Sequence, residues 1–248
     1  MGIFDLHRNK ESLIPDIADI YTIDLHSHLI PGIDDGAGSF EEALEIISSL
    51  NKSGIKKIIT TPHMSRLFRN SPEIIHPLFE KLKKRIVENN VDIELAVAAE
   101  YLVDEGFQQI LESGRLMTFG NKYVLIELPL LYPFSGLSDM LFEMQSRGYN
   151  VVLAHPERYL YWQNDLGAFY KLKDREIVFQ LNILSLTKNY SAQTHKLALK
   201  LIREGLIDVI GTDIHKPAQI PLIKETLTGK LFQELARTGQ IKNNMLFA

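Results

Sequence analysis

The chain has no cysteine in its 248 residues. That excludes disulfides and thiolate zinc sites, and it excludes any phosphoryl transfer through a cysteine nucleophile. It also fits a reducing compartment. An excess of basic charge is missing too. The formal net charge is -4, so there is no general nucleic-acid footprint, and an anionic substrate must be held by a local patch or by metals. No uninterrupted apolar run approaches the roughly 18 residues of a membrane-crossing helix. The opening Met1-Gly2-Ile3-Phe4-Asp5-Leu6-His7-Arg8 lacks the apolar core of a signal peptide. The expectation is a soluble, cytoplasmic protein. Internal repeats, low-complexity tracts and linker-like stretches are lacking over residues 21–248.

What is there is a 45% hydrophobic chain of a length that suits one large α/β domain. Residues 1–20 read as an N-terminal extension, and 21–248 as the domain. Short β-branched runs predict strands at Tyr21–Leu25, Lys57–Thr61, Ile93–Ala98, Tyr123–Leu128, Asn150–Ala154, Ile177–Asn182 and Asp208–Thr212. Most lack a clean in/out alternation, as expected for strands buried on both faces of a parallel sheet. Helical patterns fall between them. Ser39 opens one with Leu44, Ile47 and Leu50 on its apolar face and Gly54 past its end. Ser71-Pro72-Glu73 opens another, whose basic Lys81–Arg85 stretch reads as a solvated face. Further helices are expected over Ser135–Arg147, Tyr159–Leu172, Ala192–Glu204 and Leu222–Thr238. About seven β-α units predict a distorted barrel, with a doubly wound open sheet as the alternative. Either architecture places ligands at the carboxyl ends of the strands.

The chemistry-bearing residues sit at those ends. In Ile23-Asp24-Leu25-His26-Ser27-His28, spacing of two puts Asp24, His26 and His28 on one face of an extended strand, a partial metal site. His63 follows the second strand, Glu100 the third, Glu127 lies near the end of the fourth, and His155 follows the fifth. Asp213 and His215 follow the seventh. Five of the eight histidines thus occupy predicted strand ends. Each has a bland reading alone: a satisfied core histidine, an ion-pair partner in Glu127, a helix cap in Asp213-x-His215. Burying so many ionisable groups together would be costly without cations. Asp34-Asp35-Gly36 is either a simple turn or the source of a carboxylate ligand, Asp35, at the barrel mouth. His7, His76 and His195 lie outside the pattern and read as surface or packing residues.

Taken in order, Asp24-x-His26-x-His28, Asp34-Asp35-Gly36, Thr61-Pro62-His63, Ala99-Glu100, Ile126-Glu127, Ala154-His155-Pro156-Glu157-Arg158-Tyr159 and Thr212-Asp213-x-His215 resemble the motifs of the polymerase and histidinol phosphatase superfamily. Within it, the chain most resembles the bacterial manganese-dependent tyrosine-protein phosphatases of capsule and exopolysaccharide loci. The resemblance implies a distorted β/α barrel with three metals. His26, His28, Glu100 and Asp213 would hold one, and Asp35, His63 and His215 a second. Glu100, Glu127 and His155 would hold a third. Asp24 would orient a ligand histidine. The donors are all nitrogen or oxygen, which admits manganese, iron or zinc, and the resemblance favours manganese. Arg158 would clamp phosphate and, with Asp213 and His215, make up the catalytic group.

The implied substrate is phosphotyrosine on a protein, the tail of a bacterial tyrosine autokinase controlling polysaccharide export. The alternatives are a histidinol-phosphate or other phosphoesterase of the same superfamily, or a non-catalytic kinase-binding regulator. One departure stands out. The related phosphatases carry a second arginine after the last Asp-x-His, whereas here Lys216-Pro217-Ala218-Gln219 follows. Lys216, Arg66 and Arg69 are the candidates to replace it. Phe68, Tyr132, Phe134 and Tyr159 are candidates for a ring-binding wall, against ordinary packing.

Overall fold

A computed structural model describes residues 20–247. The expected extension over 1–20 therefore lies, apart from Ile20, outside the described residues, as does His7. Strands and helices alternate from β1 (Ile23–Asp24) through α1 (Phe40–Lys52), β2 (Lys57–Thr60), β3 (His63–Met64), α2 (Pro72–Glu88), β4 (Glu94–Val97) and β5 (Glu100–Leu102). Then come α3 (Phe107–Glu112), β6 (Tyr123–Glu127), α4 (Leu137–Ser146), β7 (Asn150–Ala154), α5 (Leu166–Lys173), β8 (Val178–Asn182) and α6 (Ala192–Arg203). The chain ends on β9 (Val209–Gly211), α7 (Ile220–Thr228), α8 (Lys230–Arg237) and α9 (Asn243–Phe247).

All strand pairs are parallel, in the orders β1-β2-β4 and β3-β5-β6-β7-β8-β9. The two sheets are halves of one distorted barrel. β2 runs into β3 across Thr61-Pro62, where proline cannot donate to a ladder, and β4 runs into β5 across Ala98-Ala99. On the other side, Ser27 bridges Ile214, the His28 N–H donates to the Ile214 carbonyl at 3.0 Å, and the Asp213 N–H to the His26 carbonyl at 2.8 Å. The seven predicted strands are all present, although the first is regular only over Ile23–Asp24.

The missing in/out alternation now has its cause. Val124, Ile126, Val151 and Leu153 pack outward in the large cluster beneath the helices, while Leu125, Val152 and Ala154 join Ile23, Leu25, Ile59, Ala98 and Val209 in the barrel interior. Both faces are apolar because both are covered. Helices follow their caps. The Ser39 hydroxyl accepts from the Glu42 N–H at 3.2 Å, and Ala43, Ile46, Ile47 and Leu50 form the buried stripe of α1.

Two helix expectations need correction. Over Tyr159–Leu172, tight 3-10 turns at Pro156–Arg158 and Leu160–Trp162 come first, and the α-helix begins only at Leu166. Tyr159 is drawn out of helical geometry because its hydroxyl donates to the Ala154 carbonyl and accepts from the Leu128 N–H, both at 2.9 Å. The expected Leu222–Thr238 helix is two, split at Gly229, whose backbone is extended (φ −72°, ψ 155°). α3 and α9 were not anticipated. α3 starts where Asp104 Oδ1 accepts from the Gly106 and Phe107 N–H groups. α9 closes the amino end of the barrel. Phe247 packs against Phe119 and Tyr123, and the Asn243 side-chain amide bonds the Ile23 carbonyl together with the Ile210 N–H and carbonyl. One side chain thereby ties β1 to β9 where their backbones do not pair.

Candidate metal centre

The strand register assembles the site. β3 pairs with β5 so that His63 lies beside Glu100, and β5 pairs with β6 so that Leu102 lies beside Glu127. Inward positions that are apolar lower in the barrel become polar toward its carboxyl end: Leu125 is followed by Glu127, and Val178 by Gln180 and Asn182. His155 and Asp213 each end a strand in the left-handed region, at φ 34° and 49°, a costly backbone for non-glycine residues that turns both side chains to the centre.

Glu100 is fully buried and lies at the middle. Its Oε2 lies 3.2 Å from His26 Nε2, 3.4 Å from His28 Nε2 and 3.1 Å from His63 Nδ1, and its Oε1 lies 3.0 Å from His155 Nε2. Asp213 Oδ1 is 3.3 Å from Nε2 of both His26 and His28. Glu127 stands 3.4 Å from His155 Nε2. Asp35, the most exposed member, is 3.5 Å from His63 Nε2 and 3.4 Å from His215 Nε2. Four groupings have the spacing to hold a cation: His28 with Asp35, His63 and His215; His26 with His28 and Asp213; His26 with Glu100 and His155; and His63 with Glu100 and Glu127. All nine residues expected as ligands are among them. His28 reaches the Asp35 group as well as the one expected of it, Glu100 is not grouped with His26, His28 and Asp213, and His155 and Glu127, expected together, fall in separate groups that each contain Glu100.

The donor chemistry fits divalent cations. His26 and His28 face each other through Nε2 atoms 3.3 Å apart, and their other nitrogens are engaged by Gln180 Oε1 at 2.8 Å and Asp34 Oδ2 at 3.0 Å. His215 Nδ1 donates to the Asp213 carbonyl at 2.8 Å. Bonds of this kind orient ligand imidazoles. Without a cation the cluster is a network of protons and carboxylates. Burial opposes ionisation of Glu100 and Asp213, yet neighbouring imidazoles, His26 foremost, hold both carboxyls well below the usual range. Burial and the Arg158 charge push the His155 imidazole down, but hydrogen bonds to Glu100 and Glu127 outweigh them and raise it to about 9. The His215 hydrogen bond brings Asp35 down to about 2.

The turn after β1 divides its labour. Asp34 forms the turn, accepting from the Gly36 N–H at 2.9 Å while also holding His28 and the His63 N–H, and Asp35 faces the imidazoles. Gly36 is required there: a Cβ would lie 2.2 Å from the His28 carbonyl oxygen. Asp24 does not orient a histidine through a hydrogen bond. It accepts from Thr212 N at 2.9 Å, from Thr212 Oγ1 at 2.5 Å and from the Tyr21 hydroxyl at 2.8 Å, anchoring the residue before Asp213.

Arg158 is placed at the rim, its Nη1 3.3 Å from Asp213 Oδ2 and its guanidinium over the Tyr190 ring. Lys216 Nζ donates to the Gly36 carbonyl, and the exposed Arg66 lies with its stem against Gly106. Arg69 is exposed. Phe68 stacks on His63 with ring centroids 5.2 Å apart. Tyr159 is fully buried and supports the barrel wall, Phe134 packs on the core, and Tyr132 is exposed on the loop after β6. His195 Nδ1 meets the Ser185 carbonyl and His76 is exposed, away from the centre. Gln180 and Asn182 were missed in the sequence, though two amides at alternate positions of an apolar strand were a signal.

Comparison with known proteins is consistent with this geometry. The chain is 28% identical over 195 residues to the tyrosine-protein phosphatase YwqE of Bacillus subtilis (strain 168), covering 78% of this chain and 77% of that one. It is 25% identical over 207 residues to a putative tyrosine-protein phosphatase, CapC, of Staphylococcus aureus, covering 83% and 81%. A crystal structure from the pair YwqE of Bacillus subtilis and CpsB of Streptococcus pneumoniae, described as metal-dependent tyrosine phosphatases, superposes with a TM-score of 0.76 at 25% identity over 90% of this chain and 93% of that one. A histidinol phosphate phosphatase from Lactococcus lactis shares the fold at a TM-score of 0.52 and 13% identity, covering 88% and 93%. The profile of the family described as capsular polysaccharide synthesis, CpsB/CapC, matches residues 22–243, nearly the whole barrel with every residue of the cluster, and the chain belongs to that family.

Proposed function

We propose that this protein is a metal-dependent protein-tyrosine phosphatase with a three-metal centre, manganese in the native state. The observation that carries the reading is Glu100: a fully buried carboxylate with imidazole nitrogens of four histidines within 3.4 Å. His26, His28, Glu100 and Asp213 would hold one ion, Asp35, His63 and His215 a second, and Glu100, Glu127 and His155 a third. Bound cations supply Lewis acidity, neutralising phosphoryl oxygens and making a water nucleophilic near neutral pH. Arg158 donates its fork to a non-bridging phosphate oxygen, which requires it to exchange Asp213 for substrate. Tyrosine leaves as a phenol of pKa about 10, so a strong general acid is not needed. The substrate we infer is a phosphotyrosine protein, the tail of a bacterial tyrosine kinase that controls capsule or exopolysaccharide synthesis. The compartment we infer is the cytoplasm. Among the described residues, no helix is long and apolar enough to cross a membrane.

The test is phosphate release by metal-stripped protein, with and without added manganese, from a phosphotyrosine peptide and from histidinol phosphate. Manganese-dependent release from the peptide alone is expected. Release only from histidinol phosphate would move the protein to small-molecule metabolism, and no release from either with metals bound would make it a regulator. Arg158→Ala is expected to weaken substrate binding with metals retained.

A further inference from the structure

Strand β8 is apolar except for Gln180 and Asn182, both fully buried. The cation-holding groups beside them are built of histidines and carboxylates. Gln180 Nε2 has no hydrogen-bond partner, an arrangement that costs free energy unless the rest of the side chain is put to use. Its oxygen has two neighbours. Gln180 Oε1 is 2.8 Å from His26 Nδ1 and 3.4 Å from the backbone N of His155.

Those distances decide a tautomer. The His155 N–H is a donor in every state of the protein, so the amide end that faces it is the oxygen; the reverse orientation would set NH2 against N–H. With the oxygen there, His26 meets it with Nδ1–H, and Nε2 is the nitrogen turned to the centre. That nitrogen lies 3.2 Å from Glu100 Oε2, 3.3 Å from Asp213 Oδ1 and 3.3 Å from His28 Nε2. Two imidazole nitrogens and two carboxylate oxygens converging this closely suit a shared cation. The same oxygen steadies the left-handed His155, whose Nε2 faces Glu100 and Glu127. The neighbouring strand leaves room for this. A Cβ on Gly211 would lie 2.8 Å from His26 Cβ and 2.9 Å from Gln180 Nε2, so any side chain there displaces one or the other.

The geometry points to Gln180 as a positioning residue of the metal centre: its amide oxygen fixes His26 as the Nδ1–H tautomer and seats His155, and Gly211 is the gap that permits it. The inference rests on the metal-centre reading above. It also separates the subsites. The groups built on His26 and His155 depend on Gln180, and the Asp35–His63–His215 group does not.

The test uses the full chain with Gln180→Met, which keeps length and removes the acceptor, Gln180→Glu, which restores one, and Gly211→Ala. Imidazole 15N NMR of metal-free protein at alkaline pH reads the tautomer, and equilibrium dialysis with Mn2+ reads affinity and stoichiometry. In Gln180→Met the Nδ1–H signature of His26 should disappear, and Mn2+ affinity should weaken about 10- to 100-fold at two of three sites. Gln180→Glu should restore both, and Gly211→Ala should resemble Gln180→Met. Unchanged tautomer and Mn2+ binding in Gln180→Met, or failure of Gln180→Glu to rescue, would overturn the proposal. Should Gln180→Met not fold, the contrast between Gln180→Glu and Gly211→Ala decides it on the same readouts. Wild-type protein that binds no Mn2+ would sink the metal-centre reading first, and this inference with it.

Discussion

The two ends of the barrel solve opposite problems. At the amino end, Phe119, Tyr123 and Phe247 stack edge to face or offset, and Asn243 stitches β1 to β9. At the carboxyl end the strands carry imidazoles and carboxylates that share protons in the absence of cations. The lower end contributes cohesion by apolar burial, which is indifferent to metal and pH. The upper end spends some of it on strained residues such as His155 and Asp213 and on unpartnered groups such as Gln180 Nε2. Stability and chemistry should therefore separate along the barrel axis.

The sharpest way to break that contrast is at the top. Asp213→Ala and His63→Ala should each lower phosphatase turnover by more than about 100-fold, exceeding the loss typical of residues that merely support ligands, while circular dichroism stays that of the folded chain. Near-normal turnover in either would mean the cluster is not the reaction centre. At the bottom, Phe247→Ala should cost about 3 kcal/mol in urea unfolding and leave turnover per folded molecule within a few-fold of the parent. A selective loss of activity there would end the idea of separable ends.

A third measurement sharpens the comparison through pH. In metal-free protein, His155 is raised from 6.5 to about 9, so its contribution to stability is complete below pH 6.5 and is lost as pH rises through 9. Asp35 is lowered from 3.8 to about 2, and Glu100 and Asp213 are also lowered, so theirs is present above the ordinary carboxylate pKa and lost as pH falls. Urea midpoints of metal-free protein should therefore peak between about pH 5 and 6.5. Mn2+ binding should strengthen with rising pH and release protons, because ligand imidazoles must be deprotonated. A flat midpoint across that alkaline limb would argue against the shared-proton network. The smallest effect is expected of Lys216→Met. Its ammonium holds the Gly36 carbonyl, so Mn2+ affinity at the Asp35 group should fall less than about 10-fold, below the effect of most ligand-orienting partners, with KM for phosphopeptide unchanged. A large rise in KM would instead make Lys216 the replacement for the second arginine.

How legible this was depended on the range of the interactions. The strands could be read because each is a short apolar run between turns and helices, and both faces are buried. The helix over Phe40–Lys52 could be read from Ser39 and its spacing. The region after His155 could not, since Tyr159 is held by the Leu128 N–H, 31 residues away, as well as by the Ala154 carbonyl at the end of the preceding strand. Gly229 splits a helix whose periodicity runs straight through it. Asp34 and Asp35 satisfied both readings offered for them, turn and mouth, one residue each. Gln180 and Asn182 carried a signal that went unread, and Tyr190 beneath Arg158 carried none.

What the sequence determined by itself was the kind of chemistry and the order in which it is presented: nitrogen and oxygen donors at successive strand ends, no thiol, and a parallel α/β frame to point them one way. Those follow from residue type and periodicity, which are local. Which nitrogen of each histidine faces the centre, which carboxylate sits in the middle, and how β1 meets β9 were decided only in the tertiary structure. Glu100 is central because β5 lies between β3 and β6, His26 is aimed by an amide 154 residues away, and Asn243 joins β9 to β1 at the amino end. Such choices depend on pairings between distant segments, and hydrogen-bond geometry acquires a direction only when both partners are in place.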